Sequence, residues 1–230
     1  MIYLLFFLFI FVLPRIWLNR ALKRNDEILE SMPFTGLEFG ELLLKENALE
    51  GGKITHTDLG DHYDLENKEV RVLEERLSKK SITAISIVAH EIGHAIQHKE
   101  KYTPLEQRTK LVKNTSWISK LGGGVLYSGL PIILATGSSG LIKICLFIVF
   151  LSVIITALVH LITLDVEMDA SFNRALPILK EKIPEEYLIG SRSVLRAAAF
   201  TYLAQSIVSI FRLKIILFSI FNILKSVVRR

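Results

Sequence analysis

The sequence predicts a mostly α-helical integral membrane protein that carries a smaller hydrophilic domain of α+β type. Three observations predict this fold class: half of the 230 residues are hydrophobic, the apolar residues are grouped in long blocks, and the 23 acidic residues are confined to two parts of the chain. All of them lie between Asp26 and Glu106 or between Asp165 and Glu186. A bilayer imposes such a segregation, because a charged residue at its centre costs roughly 3 kcal/mol on insertion scales.

The first hydrophobic block is the N-terminus, residues 1–19. It resembles a signal peptide but has neither a basic beginning nor a cleavage site of small residues. We interpret it as a retained transmembrane signal anchor. Pro14 would kink or end its helix, and Arg15 and Trp17 would mark the membrane interface. The alternative is the buried N-terminal helix of a soluble protein.

A transmembrane helical hairpin is predicted for residues 121–164. Its second arm, residues 144–164, has no ionisable side chain except Cys145 and His160. As a helix, this arm would cover about 30 Å, the thickness of a hydrocarbon core. The turn is predicted at "TGSSG", residues 136–140.

The last hydrophobic block covers residues 194–230 and ends in a basic tail. Apolar residues predominate up to Phe211, are interrupted by Arg212 and Lys214, and then resume. This pattern predicts one short span followed by an interfacial amphipathic helix. The whole chain would then contain about four hydrophobic helices.

Lysine and arginine residues predict the orientation of the chain, because they favour the cytoplasmic side of a membrane. They are frequent after the first hydrophobic block and before the second, whereas the predicted turn has none. We therefore expect residues 20–120 and 165–193 to be cytoplasmic. The basic flanks also account for the net charge of +5, so a nucleic-acid partner is not expected.

The hydrophilic domain, residues 20–120, is predicted to combine helices with a β-hairpin. "LEFGELLLKE", residues 37–46, has the apolar spacing of an amphipathic helix. Residues 53–59 and 68–74 alternate between apolar and polar side chains and flank a segment rich in turn formers, which predicts the hairpin. A helix is predicted over residues 81–98, with Ser81 as its N-cap.

That last helix contains the sequence "AHEIGHAIQH", in which His90 and His94 are four residues apart and Glu91 follows the first of them. The two imidazoles would lie about 40° apart around the helix axis, so both can reach one metal ion. Glu91 is rotated by about 100° and suits a base beside a water. The pattern is typical of zinc metalloproteases. Solvated histidines are the alternative, but the apolar neighbours would bury this helix, and Gly93 indicates that another segment approaches closely.

A catalytic zinc site with two histidines needs a third protein ligand. His98 is about 12 Å from His90 along the helix, too far for one ion to bind both, and is better explained as a structural or supporting histidine. Asp165, Glu167 and Asp169 follow the second arm of the hairpin and should emerge on the same side as the histidines. Taken alone they would indicate a solvated helix end, whereas beside an incomplete zinc site they are ligand candidates.

Several longer motifs resemble the neutral zinc metallopeptidases of bacterial membranes, the YugP-like family. The resemblance runs through "TGLEFGELLLKENAL", "DHYDLENKEVRVLEERLSKKSITAISIVAHEIGHAIQH", "VEMDASFNRAL" and "VLRAAAFTYLAQSI", and so covers nearly the whole chain. More broadly, the chain resembles the HtpX-type gluzincins, which implies a zincin-like α+β catalytic domain with one zinc ion. By that resemblance Glu167 is the third ligand, and "DHYDLENKEVRV" corresponds to the strand that lies along the substrate.

The chain departs from the broader gluzincin group at Ser171, where that group has an aspartate four residues after its ligand glutamate. Asp169 or Asp64 could accept hydrogen bonds from the zinc-binding histidines in its place. A donor that stabilises the oxyanion of peptide hydrolysis is also expected. Its candidates are Arg192, Arg196 and Tyr202.

These features together predict a zinc metalloendopeptidase of the bacterial cell membrane, with a cytoplasmic catalytic domain and peptides or proteins as substrates. Residues 165–193 would form a cytoplasmic helix that carries the third ligand. Glu91 would be the general base, acting with one Zn²⁺. The alternative is a zinc-binding membrane scaffold or chaperone without turnover, for which an intact Glu91 would not be needed. The sequence indicates no oligomeric state.

Overall fold

The structure is a computed structural model that describes the backbone of residues 2–228. The side chains are described for all of these except residues 2–11, 126, 130, 131, 134, 139, 212, 213, 215–217 and 219–228. The fold is mostly helical and has one small sheet. The chain divides into two compact units, of which unit 1 contains Met1–Glu106 and Leu164–Leu203, and unit 2 contains Gln107–Thr163 and Ala204–Arg230.

The elements follow one another in a simple order. The first half contains α1 (Ile2–Arg24), α2 (Gly36–Glu46), β1 (Lys53–His56), β2 (His62–Asp64), β3 (Glu69–Val72), α3 (Glu74–Leu77) and α4 (Ile82–Lys99). The second half contains α5 (Thr103–Gly124), a π-helical turn (Val125–Gly129), α6 (Leu130–Thr136), α7 (Ser139–Met168), a second π-helical segment (Asp169–Ala175), α8 (Leu176–Lys182), a 3₁₀ turn (Glu185–Tyr187) and α9 (Leu188–Val228).

The sheet corrects the predicted β-hairpin. Its strand order is β1-β3-β2, and β1 and β3, the two strands found in the sequence, are parallel. The hairpin is instead formed by β2 and β3, which pair antiparallel with Tyr63 opposite Val70. β2 lies in the segment expected to be a turn. Alternation of side chains identifies a strand but not its direction, and a strand of three residues is too short to show a period.

The core of unit 1 lies between the sheet and the helices α2, α4 and α8. α2 begins with a capping box, in which the Thr35 hydroxyl accepts from the Glu38 amide and the Glu38 carboxylate accepts from the Thr35 amide. Its apolar face is buried, as the amphipathic pattern predicts. The fully buried core side chains include Phe39, Leu43, Val70, Val72, Ile85, Val88, Ile92 and Leu179.

Helix α4 is the central element of unit 1, and most of its residues are buried. Ser81 is its N-cap, with the side-chain oxygen accepting from the amide of Ala84 at 3.1 Å. At Gly93 the helix meets the second π-helical segment so closely that a Cβ atom would lie 2.8 Å from the carbonyl oxygen of Ala170. The prediction that another segment approaches Gly93 is therefore confirmed, and the missing side chain is what lets the two backbones touch.

The count of about four membrane helices is wrong for the part of the chain that the structure describes. Two helical stretches there are long and apolar enough to cross a membrane, Gly140–Lys182 and Glu185–Phe211. Length and composition alone identify them. The first arm of the predicted hairpin is divided among α5, a π-helical turn and the seven-residue α6, because the apolar run before the turn is short. Side chains 2–11 of the predicted anchor lie outside the described residues.

The C-terminal block also differs from the prediction of a short span followed by a separate amphipathic helix. The backbone of α9 is continuous over the 41 residues Leu188–Val228. Arg212 and Lys214 interrupt the hydropathy of this block but not its helix, since both residues have high helix propensity.

Candidate metal centre

Three side chains from distant parts of the sequence converge in unit 1. His90 and His94 lie one turn apart on α4, and Glu167 lies at the end of α7. The Oε2 atom of Glu167 is 3.2 Å from Nε2 of His90 and 3.6 Å from Nε2 of His94. Within the described chain this is the group of three whose donor atoms could hold one metal ion, with all of them inside 4.8 Å of one another.

The spacing of these donors fits zinc. Nitrogen and oxygen ligands lie about 2.0–2.2 Å from a tetrahedral zinc ion, so neighbouring ligand atoms are roughly 3.3–3.6 Å apart. The distances of Glu167 Oε2 from the two Nε2 atoms, 3.2 and 3.6 Å, are close to these values. Two imidazoles and one carboxylate would leave a fourth position open, as in catalytic rather than structural zinc sites.

The ring of His94 is oriented by Gln97. Its Nδ1 lies 2.9 Å from Oε1 of Gln97, while the Gln97 Nε2 group donates to the carbonyl oxygen of Val166 at 2.9 Å and to Oδ2 of Asp169 at 2.8 Å. Both of those partners can only accept, so the Gln97 amide has one possible orientation and its oxygen must face His94. Nδ1 of His94 therefore carries a proton, and Nε2 is the nitrogen that faces Glu167.

The ring of His90 is held by Ser171, whose Oγ lies 3.0 Å from Nδ1. Ser171 is fully buried on the second π-helical segment, four residues after Glu167. The position where the sequence departs from the broader gluzincin pattern thus still contacts a histidine. A neutral hydroxyl takes the place of the aspartate there and can accept a hydrogen bond from the Nδ1–H group of His90.

Strong electrostatic coupling joins the three converging groups. Burial disfavours the charged form of His94, but the hydrogen bond to Glu167 and the charges of Glu167 and Glu91 outweigh it, and the pKa of His94 is raised to about 8. Burial alone would raise the pKa of Glu167, yet the hydrogen bonds from both histidines hold it well below its usual value. Glu167 is therefore a carboxylate at neutral pH, ready to bind a cation.

Glu91 is buried beside the converging side chains, with 6% of its surface exposed. Its charge acts on His94 and also on Arg76, a half-buried residue that forms an ion pair with Asp61. Oδ1 of Asp61 in turn accepts from the amide of Leu73 at 2.9 Å. Glu91 is thus a buried carboxylate whose charge acts on His94, but it is not one of the three converging groups.

The other predicted site residues lie in several different environments. Asp169 accepts from Gln97 and Arg174, so any effect on His94 passes through the amide. Asp64 lies on β2 and contacts Arg71 and Asn67. His98 is hydrogen-bonded through Nδ1 to the Tyr63 hydroxyl at 2.9 Å.

The three oxyanion candidates lie on α9. Arg192 and Arg196 line a separate cavity together with Trp17, and Tyr202 lies one to two turns further along the helix.

Sequence reasoning missed Gln97, and it treated Ser171 only as a departure. Metal-binding motifs consist of groups that bind metals or transfer protons, and a neutral amide or hydroxyl is neither. One signal was available: Gln97 is three residues after His94, so on a helix it lies next to the imidazole that it contacts.

Comparisons with known proteins agree with this geometry. Residues 1–221 match a family model described as "Putative neutral zinc metallopeptidase". The chain is also 33% identical over 204 residues to a protein of Bacillus subtilis (strain 168) named "Putative membrane protease YugP", and the match covers 86% of this chain and 87% of that protein. No solved structure matches the chain significantly.

Proposed function

This chain belongs to the family described as "putative neutral zinc metallopeptidase", and from that premise we propose that it is a membrane-anchored zinc endopeptidase whose ligands are His90, His94 and Glu167. The observation that carries the proposal is the convergence of the two Nε2 atoms on Oε2 of Glu167, at 3.2 and 3.6 Å. The buried carboxylate of Glu91 next to them supplies the base that hydrolysis requires.

Zinc, when bound by these three residues, lowers the pKa of a water molecule to about 7 and polarises a peptide carbonyl. The protein supplies the remaining chemistry. The Glu91 carboxylate accepts a proton from the attacking water as the new C–O bond forms. It then gives this proton to the amide nitrogen as the C–N bond breaks, so the products are a free carboxyl group and a free amine.

Gln97 and Ser171 are proposed to fix the histidine rings for this reaction. Each can accept a hydrogen bond from the Nδ1–H group of its histidine, so that Nε2, the nitrogen that faces Glu167, is the one offered to the metal. Because Gln97 is in turn held by Val166 and Asp169, the Nδ1 side of the His94 ring is positioned by a neutral amide rather than by a carboxylate.

We place the substrate peptide along β2. This strand pairs with β3 alone and is therefore an edge of the described sheet. An extended peptide can add to such an edge through its backbone groups. The strand packs against α4 at Tyr63, whose hydroxyl bonds to His98.

We further propose that the protein crosses the bacterial cell membrane more than once and that its metal centre is on the cytoplasmic side. The distribution of lysine and arginine supports this orientation. Two apolar helical stretches of sufficient length support the membrane association.

The decisive experiment replaces the proposed base. Purified Glu91→Gln should keep one zinc per chain but lose hydrolysis of labelled casein by about 10²–10⁴-fold. Glu167→Ala should lose zinc as well, since a ligand is removed. Glu41→Gln, an exposed site on α2, is the matched control and should leave both properties unchanged.

Two results would contradict the proposal. Full casein hydrolysis by Glu91→Gln would show that the cleavage comes from elsewhere. A wild-type protein that binds zinc without cleaving peptides, and whose cellular role survives Glu91→Gln, would indicate the zinc-binding scaffold instead.

A further inference from the structure

Unit 1 contains a cavity next to α1 and the beginning of α9. Its volume is about 290 Å³, and its lining residues are Trp17, Ile189, Arg192, Ser193 and Arg196. None of these residues belongs to the candidate metal centre. The cavity therefore needs an explanation of its own.

The two arginines of the cavity have no anionic partner among the described side chains. Arg192 and Arg196 are four residues apart on α9, so they lie on the same face of the helix one turn from each other. Among the side chains that the structure describes, none forms an ion pair with either arginine, and the buried Nε atom of Arg192 makes no hydrogen bond. Because an unpaired buried donor is costly, this pair of guanidinium groups indicates a site for an anion.

The surroundings of the arginines are apolar and partly exposed. Ile189 is 80% exposed, and Trp17 is 41% exposed and packs edge-on against Phe200 with ring centroids 5.1 Å apart. Leu203 extends this apolar surface along α9. A ligand that covers it would combine a negative group with a hydrocarbon part.

We propose that this cavity binds the phosphate of an anionic phospholipid, with the acyl chains lying against Trp17, Phe200 and Leu203. Guanidinium groups bind phosphate oxygens in a bidentate manner, which suits Arg192 and Arg196 better than a diffuse surface charge. Tryptophan beside arginine is typical of the level of lipid headgroups. Besides the arginines, the cavity is lined by the Ser193 hydroxyl and the indole of Trp17, so a sugar or base would find few hydrogen-bonding partners there.

Fluorescence of Trp17 can test this inference on the full chain. The sequence has two tryptophans, so Trp117→Phe leaves Trp17 as a single reporter inside the proposed site. This variant is placed in nanodiscs with increasing fractions of brominated phosphatidylglycerol or of brominated phosphatidylcholine, whose bromine atoms quench tryptophan on contact. We expect half-maximal quenching at a fraction of phosphatidylglycerol about tenfold lower than that of phosphatidylcholine.

Substitutions of the arginines should remove this preference. Arg192→Gln combined with Arg196→Gln should bring the two lipids within about twofold of each other, whereas the paired Lys substitutions should keep part of the difference. Arg20→Gln, which removes an exposed charge of α1, is the control for net charge and should change nothing. If the double variant does not fold, the exposed Arg196 can be replaced alone.

Three outcomes would overturn the assignment. They are equal quenching by the two lipids in the Trp17 reporter, a preference that persists in the arginine variants, and loss of the preference when inorganic phosphate is added at millimolar concentration. The last result would assign the cavity to free phosphate groups rather than to lipid. Because the readout does not involve zinc or peptide cleavage, the test is independent of the proposed function.

Discussion

Gln97 makes three side-chain hydrogen bonds next to the candidate metal centre. Its amide connects α4 to the end of α7, because it contacts His94 on one side and Val166 and Asp169 on the other. Burial alone would raise the pKa of Asp169, but hydrogen bonds from Arg174, Gln97 and Asn173 keep it below the usual value. The anion thus stays in place and holds the amide that holds His94.

Gln97→Leu should lower zinc affinity by about 10–100-fold, the range found when partners of metal-binding histidines are removed. Leucine fills the space but releases the ring of His94, and it leaves the partners of the amide unsatisfied. Competition with a fluorescent zinc chelator measures the affinity. Gln107→Leu, at an exposed position on α5, is the control, and equal affinities in the two variants would refute the positioning role.

Some of the candidate site residues can be predicted from the sequence, and others cannot. His90, Glu91 and His94 are found from their spacing alone. Glu167 is different, because several carboxylates follow the same apolar stretch and only the resemblance to a family distinguishes it from Asp165 and Asp169. Gln97 cannot be found in this way, since its role depends on which backbone carbonyl and which carboxylate the folded chain places beside it.

At the level of elements, the π-helical segment Asp169–Ala175 determines how α7 meets α4. Such segments change the register of a helix and are often found at functional sites. Here the change lets Glu167 and Ser171 reach the two nitrogen atoms of the same imidazole, at 3.2 and 3.0 Å. The contact of Gly93 with the backbone of Ala170 holds the two elements together.

Gly93→Ala should therefore separate the two elements. The added Cβ would meet backbone rather than a flexible side chain, so we expect a loss of about 1–3 kcal/mol in the free energy of unfolding and weaker zinc binding. Gly123→Ala is the matched control: nothing lies within 4 Å of its Cβ position on α5, and alanine favours a helix. Chemical denaturation of the two variants compares them. Similar stabilities would show that the contact at Gly93 can relax.

Local sequence patterns predict the ends of helices but not the pairing of strands. The capping box of α2 and the N-cap of α4 were predictable because they depend on residues that are neighbours in the sequence. The parallel pairing of β1 with β3 depends on the path of the chain through β2. No local pattern encodes that path, and the prediction of a simple hairpin failed for this reason.

For the molecule as a whole, the coupling of His94 and Glu167 predicts how stability depends on pH. The pKa of His94 is raised to about 8 from 6.5. The contribution of His94 to the free energy of unfolding is therefore complete below about pH 6.5 and is lost as the pH rises through 8. The pKa of Glu167 is lowered from 4.5, so its contribution is present above that value and is lost as the pH falls below it. The His94–Glu167 pair should therefore stabilise the metal-free protein most between about pH 4.5 and pH 6.5.

Thermal unfolding in the presence of a chelator measures this effect. Between pH 6.5 and 8.5 the metal-free protein should lose on the order of 2 kcal/mol, and His94→Gln should remove most of that slope. The zinc-loaded protein should show the opposite trend, because zinc binding releases protons from its ligands. A metal-free wild type that becomes more stable over this pH range would contradict the coupling.

The orientation in the membrane can be measured by cysteine labelling, since Cys145 is the single native thiol and is buried. In a Cys145→Ser background, Glu41→Cys should react with an impermeant maleimide only after spheroplasts are permeabilised. Gly140→Cys, near the predicted external turn, should react without permeabilisation. Labelling of these positions in the reverse pattern would place the metal centre outside the cell.

Hydropathy identifies a single long membrane span in the sequence more reliably than it identifies short apolar segments. Residues 144–164 were recognisable because their 21 positions carry no formal charge. The position in the membrane of the shorter apolar runs before the turn and after Phe211 depends on neighbouring helices and on lipids. Composition alone specifies neither of these.

The proposed ligands are 77 residues apart in the sequence at their widest separation, from His90 to Glu167. A ribosome that has translated the histidines has therefore not yet made the carboxylate. Until α7 is finished, the nascent polypeptide would hold zinc by two imidazoles at most and could not cut itself or the chains around it. Biosynthesis would thus delay the onset of activity until at least the first 167 of the 230 residues have been made.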